Sequence, residues 1–150
     1  MKTVTNEITI DARPSVVYSS CRGIERWPEI FPTVLSTNHE DVGENEIIMT
    51  MKVANDFGTN TVRSRRRYSP SRDRIDFEML TLPPQIGAMT GTWVVEAEGR
   101  GSRLVVTHVF DVPKALDGAA REEAVKQVGA TIVRTTDQVL SCLKTWLERR

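Results

Sequence analysis

Arg66 and His108 are ionisable groups on faces that otherwise read as buried. In GSRLVVTHVF, residues 101–110, alternation puts Leu104, Val106, His108 and Phe110 on one side of a strand. In the stretch that ends at Tyr68, the same alternation groups Val62, Ser64, Arg66 and Tyr68 and turns Arg63, Arg65 and Arg67 the other way. A guanidinium keeps its charge, so on an apolar inner face it needs a carboxylate, water or a ligand oxygen. Asp137 and Glu78 are the candidate carboxylates, and a pair with either would make Arg66 structural. His108 titrates near neutrality when unperturbed and could move protons. As a neutral core histidine donating to a carbonyl, it would do no chemistry.

Other chemistries lack their residues. His39 is read in a polar turn, with no second histidine or cysteine at ligand spacing, so no metal is expected. Cys21 and Cys142 have neither a local histidine nor the density of a disulfide framework. EGRGSR reads as a hairpin turn and not as a phosphate-cradling loop. The 20 lysines and arginines balance the 20 aspartates and glutamates, which gives no field for nucleic acid or an anionic membrane. Arg63, Arg65 and Arg67 read as a solvated strand face or a docking patch for an acidic partner. MKTVTNEITI alternates instead of forming an apolar leader, and no run approaches a membrane span, so a cytoplasmic protein is expected.

The elements that must position Arg66 and His108 follow from periodicity. A chain of 150 residues fits one domain, residues 1–150. Val4, Asn6, Ile8 and Ile10 alternate as a strand with one buried face. DARPSVVYSSC and GIERWPEIF read as two short helical pieces, with Val16, Val17 and Ser20 or Cys21 at helical spacing in the first and Pro28 limiting the second. Three hairpins follow, around GEN, SPSR and GRG, the central strand running from Phe57 to Tyr68. On their strands Ile75, Phe77 and Met79 share a face, as do Met89, Gly91, Trp93 and Val95; such stripes suit a plain core or an apolar ligand wall. Val125, Val128, Ile132, Thr136, Val139, Leu143 and Trp146 or Leu147 then mark one stripe of a helix of about 25 residues or more. The expected fold is α+β: a seven-stranded curved antiparallel sheet with two short helices, wrapped around the long C-terminal helix and enclosing a cavity.

The ordered set RWPEIFPTV, SRRRYSP, GAMTGTW and LVVTHVF resembles the polyketide aromatase/cyclase branch of the START-like helix-grip superfamily. The likeness spans nearly the whole chain. It implies a deep pocket that takes a poly-β-ketone from an acyl carrier protein and directs aldol cyclisation, dehydration and aromatisation without a cofactor. Arg66 falls on the family's pocket arginine in its S-x-R pattern and Ser64 on the preceding serine. Trp27, Phe31, Met89 and Trp93 fall on wall positions, Thr136 on a helix position facing the chamber, and His108 on a histidine that some members carry. Tyr68 and Phe77 join the substrate-binding set through their shared inner faces. Val62 stands where several relatives have tryptophan, which implies a different pocket shape, and Asp137 lies beside the stripe where some members place an acid. The same fold also serves non-catalytic carriers of lipids, sterols or quinones, in which Arg66 and His108 would anchor a polar head. No nucleic-acid or membrane partner is implied, and the chain would act as a monomer or homodimer.

Overall fold

The fold is described from a computed structural model over residues 1–55 and 58–149. Strands β1 (Lys2–Ile10), β2 (Val34–Gly43), β3 (Glu46–Asn55), β4 (Gly58–Ser69), β5 (Arg74–Met79), β6 (Ala88–Glu98) and β7 (Gly101–Asp111) form one sheet. Its order is β1-β7-β6-β5-β4-β3-β2, every neighbouring pair antiparallel. Helices α1 (Pro14–Arg22) and α2 (Trp27–Ile30) cross from β1 to β2, and α3 (Gly118–Glu148) packs along the sheet. This is the seven-stranded, helix-gripping arrangement expected. The start of the central strand expected at Phe57 lies outside the described residues.

Local chemistry sets these boundaries. Pro14 opens α1, where its missing N–H leaves no helical bond unmade. Pro28 likewise sits in the first turn of α2, so it starts that helix more than it limits one. In α1 the buried side is Val17, Tyr18 and Cys21; Val16 faces solvent, because the sheet lies against the later flank of the turn. Asp73 takes the left-handed conformation that closes the β4–β5 turn, with φ 48°. Helix α3 runs 31 residues and buries Val128, Ile132, Thr136, Leu140, Leu143 and Leu147 at helical spacing. Leu140 takes the stripe position next to Val139, which is only half-buried because it faces the cavity.

Two apolar clusters share the space between sheet and helix. The larger joins α1 and α2 to the concave face through Ile10, Ile24, Ile75, Leu104, Val106 and Leu143. The smaller gathers Ile86, Phe110, Val112, Val128 and Ile132 near the start of α3. Asn6 ties β1 to α3, its amide donating to the Val133 carbonyl at 3.0 Å and the Asp137 carboxylate at 2.7 Å. On the convex face Arg63, Arg65 and Arg67 meet Glu40 and Glu46 across β4 and its neighbours, as a solvated strand face does.

Candidate active site

A cavity of about 200 Å³ lies between the concave sheet and α3. Period-two alternation brings Ser64 and Arg66 of β4, Phe77 and Met79 of β5, Met89 and Trp93 of β6, and His108 of β7 to its wall. Trp27 and Phe31 close one side, and Ile132, Thr135, Thr136 and Val139 line it from α3 at i, i+3, i+4 and i+7. Nine of the ten residues expected at the site therefore line one space. Tyr68, the tenth, does not: it lies one alternation step past Arg66, under the Arg22 guanidinium at 4.3 Å from its ring. Alternation identifies a face but not how far along the strand the cavity extends.

Strand register relates the two ionisable groups. Arg66 pairs with Phe77, Phe77 with Gly91, Gly91 with His108 and His108 with Val4, so all lie in one row across the sheet. Three strand spacings separate the Arg66 and His108 backbones, about 14 Å along the sheet, and its curvature turns both side chains toward the cavity. Gly91 is what lets the row close. A Cβ there would stand 2.4 Å from Phe77 Cζ and 2.5 Å from the Thr107 carbonyl oxygen. The Phe77 ring uses that space and meets His108 edge-on, with centroids 5.5 Å apart.

Arg66 is 3% exposed and has no carboxylate partner among the described residues. Asp137 is exposed and held by Asn6, and Glu78 points to solvent from the outer side of β5, so neither makes the structural pair that was the alternative for Arg66. The guanidinium donates to the Cys21 carbonyl at 3.2 Å, in the last turn of α1, where helix carbonyls lack partners and the helix end is negative. It also lies 4.7 Å from the Trp27 ring centroid, and Trp27 stacks on Trp93 at 6.2 Å. Burial lowers the Arg66 pKa from its usual range, and Tyr68 acts against that shift. The result is a desolvated cation balanced by dipoles and a π face, with Nε left without a hydrogen-bond partner.

His108 keeps some exposure, on the cavity it lines, yet is packed densely enough that burial lowers its pKa to about 4. Burial favours its neutral form, which leaves the imidazole a weaker base than a free one. Its Nδ1 is buried and donates to no carbonyl, unlike a space-filling core histidine. Thr135 was not anticipated. The stripe Ile132–Thr136–Val139 was legible, but Thr135 lies on its flank, where only the i+3 spacing from Ile132 signals it. Among the described residues no cluster of three or more His, Cys, Asp or Glu could hold a metal. Nor is any helix there long and apolar enough to cross a membrane.

Sheet, long helix and mixed apolar-ionic cavity define a helix-grip protein with an internal chamber. Solved structures share that architecture: the Zhui aromatase/cyclase of Streptomyces sp. R1128 aligns with TM-score 0.88 at 24% identity, covering 99% of this chain and 94% of that one. A START superfamily protein from Mycobacterium smegmatis aligns with TM-score 0.81 at 12% identity, covering 98% and 97%. The profile of the family described as polyketide cyclase / dehydrase and lipid transport matches residues 1–145, and the chain belongs to that family. The bifunctional cyclase/dehydratase of the granaticin polyketide synthase from Streptomyces virginiae is 34% identical over 107 residues, 70% of this chain and 35% of that protein. Its actinorhodin counterpart from Streptomyces coelicolor is 29% identical over 119 residues, 78% and 36% respectively. The chain thus spans about a third of the length of these curated relatives.

Proposed function

We propose that this chain is a polyketide aromatase/cyclase that folds a poly-β-ketone and directs its aldol cyclisation and dehydration. The observation that carries the proposal is Arg66, a buried cation without a carboxylate on the wall of a mostly apolar cavity. The names of the granaticin and actinorhodin relatives support the same reading. Residues 1–150 would act as one domain in the cytoplasm, receiving the chain from an acyl carrier protein.

In the proposed mechanism Arg66 polarises a carbonyl and so acidifies the carbon it flanks, and neutral His108, a weak base in its buried setting, accepts that carbon's proton, leaving an enolate. That carbon attacks a second carbonyl of the same chain; one C–C bond forms, and the electrophile's oxygen becomes an alkoxide. Arg66 stabilises the developing negative charge, more strongly beside apolar walls than it would in bulk water. The alkoxide takes up a proton, then leaves as water with a neighbouring C–H proton, and the ring gains its aromatic unsaturation without net redox change. Trp27, Phe31, Met89 and Trp93 hold the chain in a productive fold.

A carrier role is the second reading, since the family includes lipid-transport proteins. The test adds purified protein to a carrier-protein-bound poly-β-ketone and follows products by chromatography and mass spectrometry. A single dehydrated ring product is expected. An unchanged mixture of spontaneous products, with a lipid seen bound in native mass spectrometry, overturns the cyclase reading.

A further inference from the structure

Among the described residues five buried side-chain atoms have no hydrogen-bond partner, and three of them belong to residues that line the same cavity: Arg66 Nε, His108 Nδ1 and Thr135 Oγ1. Orphaned polar atoms are uncommon in folded proteins, because each forfeits the hydrogen bonds it made to water. Their convergence on one small apolar cavity calls for a common explanation.

Thr135 is the informative member. A helical threonine ordinarily returns its hydroxyl to the carbonyl four residues earlier. Thr131, one turn before, does this, donating to Gln127 at 3.0 Å. Thr135 has the same opportunity and leaves it unused, its hydroxyl buried without a partner on a residue of the cavity wall. Arg66 and His108 lie in one transverse row of the sheet, and Thr135 approaches from the helix. The three groups therefore do not lie on one line, and a ligand meeting all of them must carry several oxygens spread along it.

We propose that Thr135 is a substrate-binding residue whose hydroxyl bonds a ligand oxygen, making the cavity selective for polyoxygenated chains over hydrocarbon-rich ones. The proposal rests on the poly-β-ketone reading and specifies how that substrate class is recognised. A β-polyketone offers an oxygen on every second carbon, so one folded segment can meet a guanidinium, an imidazole and a hydroxyl together. A fatty acid or a quinone with a long tail has its oxygens at one end and leaves Thr135 unmet.

The test is calorimetric titration of the full chain with heptane-2,4,6-trione and heptan-4-one, which match in length but differ in oxygen count. Wild-type protein should prefer the triketone. Thr135→Val keeps the side-chain shape and should weaken the triketone about fivefold while leaving heptan-4-one within about twofold. Thr135→Ser should bind like wild type, and Thr135→Ala takes the place of the valine variant if that one melts early. Equal loss of both ligands, no loss of either, or a wild-type protein that binds the two alike or binds neither overturns the proposal. A protein that shows the triketone pattern but forms no ring from a carrier-bound chain would refute the cyclase reading and leave Thr135 in its binding role.

Discussion

Replacing Arg66 with methionine separates its two possible roles, because the structural and electrostatic consequences differ in size. The substitution removes a charge-assisted bond to the Cys21 carbonyl at 3.2 Å and the stacking over Trp27 at 4.7 Å. Together those contribute about 3–5 kcal/mol. It also relieves the desolvation of a cation that is 3% exposed and lacks a counter-charge, a penalty of several kcal/mol in the opposite direction. The two nearly cancel, so R66M should fold within about 2 kcal/mol of wild type, a shift of no more than roughly 4–8 °C in Tm. Ring formation has no such compensation. Loss of a preorganised donor to a developing oxyanion should slow it about 100- to 1,000-fold. The assays are a calorimetric melt and single-turnover cyclisation of a carrier-bound poly-β-ketone. A variant that loses more than about 3 kcal/mol of stability yet keeps its rate and product profile would show that Arg66 is a strut.

Three further outcomes follow from the geometry. Because the folded pKa of His108 lies near 4, below its unfolded value of 6.5, the unfolded chain binds more protons between those values. Stability should therefore fall as pH drops from about 6.5 to 4, by up to about 3 kcal/mol, and His108→Gln should remove that component from urea titrations run across the range; an unaltered pH slope refutes it. Gly91→Ala would drive a Cβ to 2.4 Å from Phe77 and should lower stability by about 1–3 kcal/mol, measurable as a reduced Tm. Cys21 is buried and its thiol is pushed up to about 12, whereas Cys142 is only half-buried. Iodoacetamide at pH 8 should thus label one cysteine in folded protein, located by peptide mass spectrometry, and both after denaturation.

The sequence made the elements legible wherever one period dominates. Two-residue alternation through Leu104, Val106, His108 and Phe110, and 3.6-residue spacing through Val128, Ile132 and Thr136, are local properties that the fold retains. The site was legible only in part, because register and depth are tertiary. Nothing near Arg66 announces that its acceptor is the Cys21 carbonyl at the end of α1 instead of an acidic side chain. Tyr68 shares the correct face but lies past the end of the cavity, and Thr135 falls one position off the obvious stripe. The His108 pKa follows from packing by residues on other elements, so its type alone suggested a neutral-pH titration that the folded environment prevents.

The transverse row from Arg66 to His108 and Val4 has a consequence for the order of folding. β3, β4, β5 and β6 pair with their neighbours in chain order, but β1 reaches β7 only after roughly 90 intervening residues, a pairing whose loop-closure entropy makes it late and slow. During synthesis the arginine half of the row can form while the histidine half waits for β7, and the chamber has no roof until α3 has emerged and docked. Ligand binding should therefore report completion of the whole fold, and a chain stalled before α3 would leave its apolar wall open to chaperones or to other chains.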